Sequence, residues 1–217
     1  QAITAVLNGA AENDAFNRLA ITAALAAREV EWCRAFYTYL RQVGTKYTSA
    51  TVVDALGGAA SITRALMDMF CARHDPAFSG DREKGEGAAA EAIRVGLASV
   101  VAINDDRVLR LFRSLVDAIL RTNAFAPAAQ EALAFKIDSA LVPGLPKPVP
   151  WREIFVFSSR VEGIHLRAGP VARGGLRWSD RRDDYRTEIL GLMKAQRVKN
   201  AVIVPTGAKG GFFPKQL

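Results

Sequence analysis

The chain has 217 residues, half of them hydrophobic and about a quarter charged, a globular profile long enough for one large domain or two modest ones. No run of 18 apolar residues and no signal-peptide order are present, which argues against a membrane-spanning or exported protein and predicts a cytoplasmic one. The net charge of +7 is uneven: residues 151–217 hold 13 Lys and Arg against six Asp and Glu, while residues 1–150 balance at 16 each, so a negatively charged ligand is expected at the C-terminal end.

The chain opens on Gln1 and stops at Leu217 just after a glycine-rich stretch, and it reads as an internal fragment of a longer polypeptide. From Glu12 to about Val43, apolar residues including Phe16, Leu19, Val30, Trp32, Phe36 and Leu40 recur at helical spacing, which predicts an amphipathic helix broken at most once. A second helical stretch is expected from Ser49 to His74, kinked at Gly57-Gly58. Turn formers and charges over Asp75–Gly87 predict a loop. A third helical region follows from Ala88 to Leu120, interrupted at Ile103-Asn104-Asp105-Asp106, where Asn or Asp can cap a new helix.

The period changes after Pro127. Ala132–Ala140, Glu153–Phe157 and Glu162–Ala168 predict three strands in an antiparallel meander, with the proline-rich Val142–Pro150 between the first two. Helical spacing returns over Asp183–Asn200, and Ala201–Val204 predicts a short buried strand. The fold class is thus α+β, a helical region over residues 1–125 followed by short antiparallel strands over 126–217.

Cys33 and Cys71 lie in helical patterns away from any CxxC or Cys/His spacing, and read as reduced packing residues with no metal site. His74 and His165 have no second histidine nearby and read as core or capping residues. There is no GxGxxG, so no cofactor-binding residues are expected within the chain.

Two glycine-rich stretches carry the chemistry. PTGAKGG (205–211) places Lys209 among glycines whose N–H groups can face an anion; it is not a P-loop, because Lys209 is followed by Gly rather than Ser or Thr. An ordinary exposed turn explains the same spacing equally well. ARGGLRW (172–178) is a second glycine turn, in which Arg173 precedes Gly174 and Gly175 and can grip a carboxylate bidentately. Arg177 is explained as well by pairing with Asp180 or covering a helix end. Between the two stretches, Gln196 and Lys199 lie three apart and share one side of a helix end, while Lys194 and Arg197 read as a solvated basic face.

The stretch RGGLRWSDRRDDYRTEILGLMKAQRVKNAVIVPTGAKGG resembles the glutamate-binding region of the very large bacterial NAD-specific glutamate dehydrogenases. The resemblance is highly specific from about Pro143 to Lys215 and weaker over the helical region. It implies that residues 126–217 begin the substrate-binding domain and that residues 1–125 precede it. It also implies that Lys209 is the catalytic lysine, that Gln196 and Lys199 hold the α-carboxylate, and that Arg173, with Gly174 and Gly175, stands where smaller relatives use a lysine for the side-chain carboxylate. Lys215, six residues further on, leaves the choice of catalytic lysine open.

The activity so implied is NAD-dependent oxidative deamination of L-glutamate to 2-oxoglutarate and ammonium, with NAD bound beyond Leu217. The isolated chain would then be inactive, holding half an active site, and the full-length enzyme would be a homo-oligomer. Glutamate is a dicarboxylate, so a cleft with cations at both ends fixes it lengthwise. The alternative is a non-catalytic basic module binding anions or nucleic acid. That reading is weakened because Trp178 and Tyr185, the aromatics of the basic segment, are expected to be packed.

Overall fold

A computed structural model describes residues 12–199 and 206–215, with backbone alone for 197–199. The chain divides into two compact units, Gln1–Thr38 with Lys46–Asp117 and Tyr39–Thr45 with Ala118–Leu217.

The first unit is helical. A 3-10 turn (Ala15–Arg18), capped by Asp14, runs into the single turn α1 (Leu19–Thr22). The chain breaks at Ala23–Ala26, where Ala24 has φ 51, and restarts as α2 (Ala27–Gln42). The Glu29 carboxylate accepts from the Ala26 N–H at 2.8 Å, a carboxylate at a helix N-terminus. Helices α3 (Ser49–Gly58) and α4 (Ala60–His74) are separated at Ala59, directly after the glycine pair, as the spacing predicts.

The loop ends six residues earlier than its composition suggests. Asp81 accepts from the Lys84 N–H and starts α5 (Arg82–Leu97), so Gly85 and Gly87 are helical. The following break falls at residues 98–102, and α6 (Ile103–Ala118) begins where an interruption was expected. Trp32 and Phe36, four apart on α2, meet Phe70 of α4 at ring-centroid distances of 4.9 and 5.6 Å, and Phe36 meets Phe112 of α6 at 6.4 Å. All four rings are buried, each contributing roughly 3 kcal/mol of hydrophobic stabilisation. Both cysteines are free; burial pushes the Cys33 thiol up to about 12 and that of Cys71 to about 11.

The second unit is built on a six-stranded sheet ordered β1-β2-β3-β4-β6-β5. Strands β1 (Ile119–Thr122), β2 (Leu133–Ile137), β3 (Arg152–Phe157) and β4 (Val161–Arg167) form an antiparallel meander. Its last three strands follow the alternation in the sequence, but β1 does not. Ile119–Thr122 continues a helical apolar pattern, and pairing with β2 overrides it.

Alternation sends Phe135, Glu153, Phe155, Phe157, Ile164 and Leu166 to one face, which α7 (Tyr185–Lys199) and Tyr39 cover. Two segments expected as turns are strands: β5 (Leu176–Trp178) and β6 (Ala208–Pro214). Glycine content argues against a strand, but here each glycine removes a side chain where another group must approach. The strand expected over 201–204 lies outside the described residues.

Candidate active site

Strand β6 sits between β4 and β5, antiparallel to the first and parallel to the second. The stretch before β5 joins this arrangement: Arg173 is bridged in parallel to Gly207, the Ala208 N–H donates to the Arg173 carbonyl at 3.0 Å, and the Gly210 N–H donates to the Gly175 carbonyl at 3.0 Å. The two glycine-rich stretches are therefore neighbouring strands rather than two separate turns. Gly174 is dictated by this approach, because a Cβ there would lie 1.4 Å from the Ala208 carbonyl oxygen.

Lys209 and Gly211 share one face of β6, the face toward α7. A Cβ at Gly211 would lie 2.3 Å from Ile189 Cδ1, so α7 rests directly on the backbone of the strand that carries Lys209. A Cβ on Gly175 would meet Lys209 Nζ at 3.9 Å, which places the ammonium over that glycine.

Of the nine other cations of residues 151–217 whose side chains are described, five are paired with carboxylates, while Arg160, Arg167, Arg182 and Lys194 are not paired with one among the described residues. Arg152 pairs with Asp138 at 2.9 Å, Arg186 with Glu153 at 2.5 Å and Arg177 with Glu188 at 2.6 Å; Arg181 pairs with Asp184. Lys215 Nζ lies 3.2 Å from Glu162 and 4.1 Å from the centroid of the Phe157 ring. Among the described residues neither Lys209 nor Arg173 has an acidic partner.

The structure thus brings Arg173, Gly174, Gly175 and Lys209 onto adjoining strands. Gln196, half-buried, and Lys199 are in the last two turns of α7, and the Lys199 side chain lies outside the described residues. Arg177 pairs with Glu188 in the first turn of α7, not with Asp180. Tyr185 is packed as expected, whereas Trp178 is 55 % exposed on the edge strand, stacked at 6.3 Å on Phe212. His165 lies in β4 opposite Gly210, half-buried, and burial followed by the Arg167 charge lowers its pKa.

Residues 92–217 match the model of the family described as "Bacterial NAD-glutamate dehydrogenase, catalytic domain". The chain belongs to this family. Residues 11–76 also match "Glutamate dehydrogenase, helical motif 3". The chain is 49 % identical over 222 residues to the NAD-specific glutamate dehydrogenase of Mycobacterium tuberculosis, an alignment that covers all of this chain and 14 % of that protein. It is 48 % identical over 219 residues to the NAD-specific glutamate dehydrogenase of Pseudomonas aeruginosa, covering 98 % of this chain and 14 % of that protein. A more distant relative, the NAD-specific glutamate dehydrogenase of Neurospora crassa, is 33 % identical over 125 residues, or 52 % of this chain. The chain thus spans about 14 % of the length of its bacterial glutamate dehydrogenase relatives.

One part of this glutamate dehydrogenase segment escapes a motif reading. Arg186 in the first turn of α7 and Glu153 on β3 are both fully buried and bound to each other through two hydrogen bonds, with Tyr39 OH donating to Glu153 at 3.3 Å. A signal was present: Glu153 has the parity of Phe155 and Phe157, so alternation puts a carboxylate on the apolar face. No described helix is long and apolar enough to cross a membrane.

Proposed function

We propose that this chain supplies the substrate-gripping half of the active site of an NAD-dependent glutamate dehydrogenase, which oxidatively deaminates L-glutamate to 2-oxoglutarate and ammonium. The observation that carries the reading is the position of Lys209: unpaired among the described residues, on the α7 side of β6, with its ammonium over Gly175. A cation that no carboxylate satisfies, held on a strand beside a second such cation, is poised for a dicarboxylate.

In this reading Lys209 is the catalytic lysine. Its ammonium polarises the oxygen at the reacting carbon and stabilises the negative charge that develops there, and its proton can be exchanged with the reacting groups. Arg173 takes the side-chain carboxylate, with Gly174 and Gly175 keeping the backbone clear. Gln196 and Lys199 take the α-carboxylate from the end of α7. The ion pair of Lys215 with Glu162 favours Lys209 over Lys215.

NAD, the redox partner, does not fit the described residues. The paired glycines lie in or beside strands, and the Gly210 N–H is already spent on the Gly175 carbonyl, so no free helix-capping turn faces a pyrophosphate. We assign NAD to another part of the polypeptide. Residues 126–217, inside both the second compact unit and the matched span, are the N-terminal part of the catalytic domain, with residues 1–125 the helical region before it. The intact enzyme is taken to be a cytoplasmic homo-oligomer.

Amide chemical-shift titration of this chain tests the reading. Added 2-oxoglutarate should shift the amides of Gly174, Gly175 and Gly210, with an effect that fades in salt. A response to DNA with none to the dicarboxylate would overturn it in favour of a basic nucleic-acid module, to which the exposed Trp178 would then contribute.

A further inference from the structure

We infer that Arg186 and Glu153 are positioning residues, whose buried ion pair fixes the start of α7 against β3 and thereby sets where Gln196 and Lys199 stand relative to Lys209. The inference rests on the proposed role of Gln196 and Lys199 as the carboxylate grip.

Both side chains are wholly buried, at 0 % exposure. Arg186 Nε and Nη2 donate to the two Glu153 oxygens at 3.1 and 2.5 Å, a two-point contact that resists both rotation and sliding of the helix. Tyr39 OH adds a donor to the same carboxylate at 3.3 Å, and the Tyr39 ring packs on Phe155 at 5.5 Å. Strand β3 lies in the interior of the sheet, flanked by β2 and β4. The other ties of α7 differ in kind. Glu188 accepts from Ser179 Oγ at 2.7 Å and pairs with Arg177 on the exposed edge strand β5, ties at the edge of the sheet rather than its interior, and the contact of Ile189 with Gly211 is apolar and without direction.

Stability alone does not explain such a pair. Desolvating two charges costs as much as their attraction returns, and a well-packed apolar pair of similar volume is often as stable or more so. Among the described residues Arg186 Nη1 is moreover buried without a hydrogen-bond partner, a further cost. What an apolar pair cannot supply is orientation. From Arg186 to Lys199 a helix rises roughly 20 Å at about 1.5 Å per residue, so a tilt of about 3° at its start moves its end by about 1 Å. A displacement of that size costs up to about a hundredfold when the displaced groups must fit a substrate. Lys209 is held also by β4 and β5 on either side of β6, so loosening the start of α7 affects substrate binding more than chemistry.

The test is steady-state kinetics of the intact dehydrogenase in five variants: the paired substitution Arg186→Met with Glu153→Leu, the single Arg186→Lys, Lys199→Ala alone, and each of the first two combined with Lys199→Ala. Should the paired variant fail to fold, Arg186→Lys decides, because it keeps the charge and loses the two-point contact. The KM for glutamate should rise about tenfold in each while kcat stays within about threefold, and adding Lys199→Ala should raise KM no further than Lys199→Ala alone. A folded variant with parental KM would overturn the inference, as would effects that multiply in the combined variants, since either makes the pair structural only. If Lys199→Ala by itself leaves KM unchanged, the carboxylate grip is wrong and this inference falls with it, an outcome visible without any change at position 186.

Discussion

The Lys209 ammonium sits over Gly175, so close that a Cβ on that glycine would lie 3.9 Å from Nζ. The two residues belong to stretches 34 positions apart that the sequence presents as separate glycine turns. Parallel pairing of β5 with β6 makes them neighbours, and a substrate carbon placed against Lys209 would have only backbone on its Gly175 side.

The lysine assignment separates Lys209 from Lys215. In the intact dehydrogenase, Lys209→Ala is expected to lower kcat by at least about a hundredfold, the usual scale for a positioned acid–base group. Lys215→Ala removes the 3.2 Å pair with Glu162 and the cation over Phe157, and is expected to cost about 1 to 3 kcal/mol in urea unfolding with little change in kcat. The reverse pattern in steady-state kinetics would move the catalytic role to Lys215.

Gly174 and Gly175 are adjacent, yet substitution should act on different properties. Gly174→Ala drives a methyl group into the Ala208 carbonyl, so β5 cannot pair with β6, at a cost of more than about 3 kcal/mol in thermal unfolding. Gly175→Ala meets only the tip of Lys209 and should leave the unfolding temperature nearly unchanged while lowering kcat/KM for glutamate. Equal loss of stability in both would mean that Gly175 serves packing alone.

Much of this was legible in the sequence, and the failures share a cause. Helices α2, α3, α4 and α7 and strands β2, β3 and β4 follow periodicity, because each presents one apolar face to one core. The residue types around Lys209 and Arg173 already called for an anion. Strands β5 and β6 were not legible, because Gly174, Gly210 and Gly211 mark a loop by composition, and only the approach of Ala208, Leu176 and Ile189 shows why side chains are absent there. The start of α5 was hidden in the same way, since Asp81 outweighs Gly85 and Gly87 once it caps the first turn. Arg186 gave no motif at all; the cue lay in its partner Glu153, a charge at a core parity.

The thiols offer a check on the helical unit. Burial pushes Cys33 up to about 12 and Cys71 to about 11, so at pH 8 both are almost wholly protonated. Neither is expected to react with a disulfide reagent within minutes in the native protein, and both should react after unfolding in urea. Rapid native labelling of Cys33 would contradict the packing of α2 described above.

The pH dependence of the second unit should carry the mark of His165. Its pKa is lowered, first by burial and then by the charge of Arg167, so the folded state favours the neutral ring more than the unfolded chain does, where the value is about 6.5. Between the two values the unfolded state binds more protons, and stability therefore rises with pH across that interval. The contribution is fully present above about pH 6.5 and is lost as the pH falls through the folded value. Urea unfolding between pH 7.5 and 5 should show this loss, and His165→Gln, which keeps a polar group in β4 but cannot titrate, should flatten that part of the profile. Profiles that remain parallel would mean that the loss of stability across this interval does not come from His165.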